Sequence, residues 1–143
     1  MRSNAKVGID MDDRELNLPE TIAEVRAAFL EYEAALVRND VKTLNDFFWD
    51  SPTTVRYGLA EHCYGAAEIH AYRETATAVA PSRRLSRTVI TSYGRVAASV
   101  VTEFTVPDDT LIGRQTQTWM RMHTGWKIVA AHVSVVPRAL IQG

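Results

Sequence analysis

The chain has 143 residues, 46% of them hydrophobic, with 16 basic and 17 acidic side chains and a formal net charge of −1. That suits one domain burying roughly two thirds of its extended-chain surface, and the interspersed charges leave no basic stripe for a nucleic-acid backbone. A single cysteine, Cys63, excludes an internal disulfide framework and a CxxC metal knuckle and points to a reduced, cytoplasmic setting, while no apolar run approaches the roughly 20 residues of a membrane span.

Residues 1–16 are polar and carry Asp10, Asp12, Asp13 and Glu15, the opposite of the basic, apolar start of a signal peptide. They read as a flexible leader ahead of one domain over 17–143. Asn17-Leu-Pro-Glu20 combines a capping residue, a first-turn proline and a glutamate three residues on, which marks a helix start. Ile22, Val25, Phe29, Tyr32 and Leu36 then recur at helical spacing on one face, with Glu24, Arg26, Glu31, Glu33 and Arg38 mostly elsewhere. Asn39-Asp40 ends this helix, and a shorter one follows from Val41 to Phe48, stopped by Asp50-Ser-Pro52. Extended pieces at Thr53–Gly58 and His62–Tyr64 precede a third helix from Ala66 to about Ala78.

The rest is strand: Arg84–Tyr93, Val96–Val106, Leu111–Met122 and Trp126–Val136, rich in Val, Ile, Thr, Tyr and Trp and joined by short links. Helices first and an antiparallel meander after make an α+β class. Strands this long bend around packed helices, so a strongly curved sheet with three helices on its concave face leaves room for a pocket. Gln115, Gln117, His132 and Ser134 lie among residues that otherwise read as sheet core. Polar groups there are costly unless satisfied, so they mark a candidate polar pocket.

The succession of three helices, an interleaved hairpin and a meander ending Trp-Lys-Ile-Val-x-x-His-x-Ser resembles the nuclear transport factor 2-like superfamily (SnoaL-like), and with it a cone-shaped fold. More narrowly, Thr54-Val-Arg-Tyr-Gly-Leu-Ala-Glu-His62, Tyr64-Gly65, Arg83–Gly94, Gly113-Arg-Gln-Thr-Gln-Thr-Trp119 and Gly125-Trp-Lys-Ile-Val-Ala-Ala-His-Val-Ser134 resemble the AtzH/HpxZ-like family over about Leu16 to Val136. That resemblance implies catabolism of small nitrogenous compounds, cyanuric acid or oxalurate, beside amidases. One activity it implies is a decarboxylating amidohydrolase reaction, a hydrolase step turning 1,3-dicarboxyurea into allophanate. It also implies a catalytic tyrosine on the first helix and arginine on the first strand, which fall on Tyr32 and Arg56.

The residues carry their own alternatives. Tyr32 reads as a core tyrosine or a pocket phenol; Arg56 as a structural ion pair, an exposed edge charge, or a planar fork for a carboxylate, with Tyr32 acidified by that cation. Gln115 and Gln117 read as amides for a urea's N–H and C=O or as a cross-strand ladder. His132 and Ser134 share a strand face with Trp126 and Ile128, and His132 is a satisfied core histidine or a base. Glu61 and His62 rim the pocket or face solvent, and Cys63 reads as a nucleophile or, lacking an assigned base and orienting partner, as a small buried side chain. Arg83, Arg84 and Arg87 read as a basic cluster that steers an anionic substrate or, by preference, as a solvated strand edge. No HExxH, GxSxG, His/Cys ligand set or Gly-rich phosphate loop is present, so no metal and no cofactor is expected. The expected ligand is a small urea-type or oxalurate-like anion. The alternative to an enzyme is a non-catalytic anion-binding protein or an accessory partner of a neighbouring amidase. A ketosteroid-isomerase-like proton transfer would need an inward carboxylate, for which Glu103 is the strand candidate. Val55, Tyr57, Trp119 and Val133 suggest a homodimer through the convex side of the sheet.

Overall fold

Pro19 at the first helical position and Asn39 in the left-handed region (φ 54°) bound the first helix, α1 (Pro19–Arg38), in a computed structural model that describes residues 12–142. Val25, Phe29, Tyr32 and Leu36 are buried as their spacing requires. Asn17 is not the cap. It takes φ 56°, its side-chain oxygen accepts the Ser92 N–H at 3.1 Å, and Leu18 occupies the cap position without a side-chain bond. The expected leader lies mostly outside the described residues. Its last part is docked: Asp12 caps a short 3-10 turn over Asp13–Glu15, Leu16 bridges to Tyr93, and the Gly94 N–H donates to the Glu15 carbonyl at 2.9 Å.

Helix α2 (Val41–Phe47) starts where the Asp40 carboxylate accepts the Thr43 N–H, and α3 (Ala66–Thr75) starts after Gly65. The strands are β1 (Val55–Tyr57), β2 (His62–Tyr64), β3 (Leu85–Tyr93), β4 (Ala97–Phe104), β5 (Leu111–Met122) and β6 (Gly125–Pro137). They form one curled sheet in the order β2-β1-β6-β5-β4-β3, antiparallel except where β1 runs parallel to β6. The helices pack on the concave face around Val25, Phe29, Leu44, Ile69, Trp119 and Ile128. Among the described residues no helix is long and apolar enough to cross a membrane.

One irregularity decides which side chains reach the interior. Thr118 pairs with Ala130 but Trp119 pairs with Ile128, so Val129 is an extra residue in β6. A bulge of this kind shifts the two-residue alternation by one. Before it Trp126 and Ile128 face inward; after it Ala131 and Val133 do.

Candidate functional site

Tyr32 anchors a cavity of about 300 Å³ enclosed by α1, α3, β1 and the concave ends of β4, β5 and β6. The phenol is held on its edges by Phe47, Phe48 and Trp119, whose ring centres lie 6.0, 6.1 and 6.5 Å from its own. Only 3% of the residue is exposed. Burial raises the tyrosine's pKa above its ordinary value, and the nearby charges of Arg73, Arg56 and Arg83 only partly offset this. The expected acidified phenol is therefore corrected: Tyr32 is a neutral O–H, suited to donating a proton.

Arg56 does face the cavity, because β1 turns its middle residue inward, opposite Cys63. Its Nη1 donates to Glu61 Oε1 at 2.7 Å, and its guanidinium lies 4.7 Å from the Tyr72 ring centre. Glu61, which from sequence either rims the pocket or faces solvent, with solvent favoured, thus belongs to the site. Burial works against its charge, but the Arg56 bond and the Ala60 N–H outweigh that and hold its pKa below the usual carboxylate value. Gly58 makes this possible: a Cβ there would sit 1.6 Å from Glu61 Oε1 and 2.7 Å from Arg56 Nη1.

Arg83 is not part of a solvated edge, and Glu33 is not on the polar face of α1. Arg83 clamps Glu33 through two bonds of 3.0 and 3.3 Å with both side chains more than nine-tenths buried. The Gln115 amide closes the triangle, donating to Glu33 at 3.0 Å and accepting from Arg83 at 3.3 Å. Arg83 also stacks 4.1 Å over Phe104, whose ring fills the space a side chain at Gly113 would need. Gln115 is consequently committed to the protein. Gln117 accepts the Trp119 indole N–H at 3.0 Å, which orients its amide nitrogen group toward the cavity.

Arg73 of α3 escaped the sequence reading, because a lone arginine late in an amphipathic helix looks like a solvent charge. It is 5% exposed and lines the cavity. Among the described residues its side chain has no carboxylate or hydrogen-bond partner, and its guanidinium lies 5.4 Å from the Tyr72 ring centre. Three guanidiniums therefore meet two carboxylates here, and the uncompensated charge is that of Arg73.

Three expected site residues lie elsewhere. The Val129 bulge puts His132 and Ser134 on the convex face, where the His132 ring meets Tyr57 at 5.8 Å. His62 points the same way, 4.9 Å from Tyr57. Glu103 shares a face with exposed Val101, so the isomerase-like reading loses its base. Trp119 and Val133 face inward and cannot contribute to a convex interface. Cys63 is buried, and burial raises its thiol pKa. A wider, more open trough of about 890 Å³ beside α2, bordered by Asp46, Trp49, His70, His123 and Lys127, contains none of the expected residues.

The AtzH-like family model matches residues 14–139. A protein of unknown function of the DUF3225 family from Pectobacterium atrosepticum is 47% identical with a TM-score of 0.85, covering 89% of this chain and 99% of its own. A cystatin-like fold protein from Burkholderia xenovorans is 50% identical with a TM-score of 0.84, covering 90% and 98%. A nuclear transport factor 2-like superfamily protein from Salmonella enterica shares the fold at 22% identity, with a TM-score of 0.68 over 87% and 97%. No curated protein matches.

Proposed function

The chain belongs to the AtzH-like family, and from that premise we propose that it is a small cofactor-free enzyme acting on a carboxylated urea-type anion. The reaction is a decarboxylating amidohydrolase step such as 1,3-dicarboxyurea to allophanate, or a related step on an oxalurate-type compound. The observation that carries this reading is a buried, neutral phenol, Tyr32, in one small cavity with two guanidiniums, Arg56 and Arg73. Loss of carbon dioxide from an N-carboxylate breaks the C–N bond, and the electron pair goes to nitrogen. That nitrogen takes the Tyr32 proton, carbon dioxide leaves, and the phenolate, briefly stabilised by the arginine charges, regains a proton from solvent. For 1,3-dicarboxyurea the step consumes one proton and needs no activated water, so the outward position of His132 does not count against it; hydrolysis of an oxalurate C–N bond consumes a water, and no residue of the cavity is assigned to activate it.

Freshly generated 1,3-dicarboxyurea and oxalurate, followed by mass spectrometry and corrected for spontaneous decay, test the reading. Turnover by the wild type should fall on the order of 10²- to 10⁴-fold in Tyr32→Phe, the range of a lost proton donor, and should fall strongly in Arg56→Ala. Anion binding without turnover in the wild type would move the protein to a non-catalytic binding role, including that of an accessory partner to a neighbouring amidase. We further propose that two copies pair through the convex face, where Tyr57, His62, Tyr64 and His132 form an outward aromatic cluster with the Tyr57 and Tyr64 hydroxyls 2.8 Å apart.

A further inference from the structure

We propose that Arg73 is the seat for a ligand carboxylate, and that the site neutralises one negative charge and no more. The inference rests on the reading of the Tyr32 cavity as the ligand site. Arg56 has the motif that suggests an anion clamp, yet its Nη1 is already occupied by Glu61 at 2.7 Å. Arg83 is equally committed, to Glu33 at 3.0 Å. Arg73 alone brings a buried guanidinium to the cavity with no counter-charge among the described residues. A charge held so deep without a partner is destabilising by itself, and a protein keeps one where a ligand completes it. A planar carboxylate fits the guanidinium fork. Lining the same cavity, the Gln117 amide nitrogen offers donors and the Glu61 carboxylate offers acceptors, which suit the C=O and N–H groups of a ureide.

The charge count then sorts ligands. A ureido acid with one carboxylate leaves the cavity neutral. A dianion arrives with its second carboxylate uncompensated and near Glu61, and its loss as carbon dioxide restores neutrality. Retention of the Arg73-bound carboxylate and departure of the other follow from the same balance.

Calorimetric titration with oxalurate, with its neutral amide oxaluramide and with malonate tests this on wild type, Arg73→Gln, Arg73→Lys and Glu61→Gln. Arg73→Gln should bind oxalurate at least about 30-fold more weakly, as expected for removing one partner of a buried charge pair. It should also lose the wild type's preference for oxalurate over oxaluramide, and Arg73→Lys should recover part of both. Glu61→Gln, which frees Arg56, should gain about tenfold for malonate relative to oxalurate. Thermal melting supplies a second readout: without ligand, Arg73→Gln should be at least as stable as the wild type. An Arg73→Gln variant that binds oxalurate normally, or that melts several degrees lower, overturns the proposal. Arg73-dependent binding with no carbon dioxide release in the wild type sinks the enzymatic reading and leaves the seat; release unchanged in Arg73→Gln sinks the seat and leaves the enzyme.

Discussion

Two arginines of this cavity look alike in sequence and differ in what their neighbours do to them. Arg83 is neutralised by Glu33 at depth, so Glu33→Gln leaves a buried cation unpaired and should lower unfolding free energy by about 3 kcal/mol, measured by urea titration. The sequence placed Glu33 on the wrong face of α1 because helical periodicity ranks positions by hydrophobicity. A carboxylate buried by a guanidinium fifty residues later has no local signature. Arg73 was missed for the same reason. Gly58 gives a sharper test of the Arg56–Glu61 pair. A methyl group there meets the ends of both Glu61 and Arg56, so Gly58→Ala should lift Glu61 off Arg56, lower unfolding free energy by up to about 3 kcal/mol because a buried cation loses its partner, and reproduce the ligand preferences of Glu61→Gln in the same titrations. Tyr32 makes a pH prediction. Its folded pKa lies above the ordinary value of 10.0 because burial disfavours the phenolate. The folded state then holds this proton more tightly than the unfolded one, so the contribution is present below pH 10 and is lost as pH rises through the folded pKa. Unfolding free energy measured from pH 9 to 11 should fall less steeply in Tyr32→Phe.

At the scale of elements, the helices and the four long strands were legible because each carries its period over most of its length. Leu111–Met122 was read with its observed bounds, and the turn at Thr124-Gly125 fixed the β5–β6 hairpin. What defeated the reading was a single residue. Extending the alternation of Trp126 and Ile128 puts His132 and Ser134 indoors, and only the pairing of Trp119 with Ile128 beside Thr118 with Ala130 reveals Val129 as the extra residue. No sequence signal marks it, since Val129 is an ordinary strand residue and not the glycine that some bulges require. Deleting Val129 should therefore leave the two faces of β6 as they are. With the extra residue gone, Ala130 follows Ile128 in unbroken alternation, Ala131 and Val133 still face inward and His132 and Ser134 outward, and the deletion variant should remain soluble and melt cooperatively. Val129→Ala keeps the register and should cost no more than about 1 kcal/mol by thermal melting.

For the whole molecule, the testable consequence is the pairing of two copies through the convex face. Light scattering on the eluting protein should give the mass of two chains, and Tyr57→Glu, which places a charge at the centre of the aromatic cluster, should give one chain without loss of the far-ultraviolet circular dichroism. A wild type that elutes as a monomer at micromolar concentration would end the pairing proposal.

The parallel contact between β1 and β6 carries a further consequence, in time and not in space. Arg56 sits opposite Ala131, roughly 75 residues further along the chain. Pairing at that separation is slow, because the intervening loop must close before the contact gives anything back. While the chain emerges from the ribosome, α1 with Tyr32 can form early, whereas the strand that carries Arg56 has no neighbour but β2 until β6 is made. The phenol is thus an early feature of the nascent chain and the guanidinium beside it a late one, so chemical competence arrives with the final strand and no half-made copy possesses it.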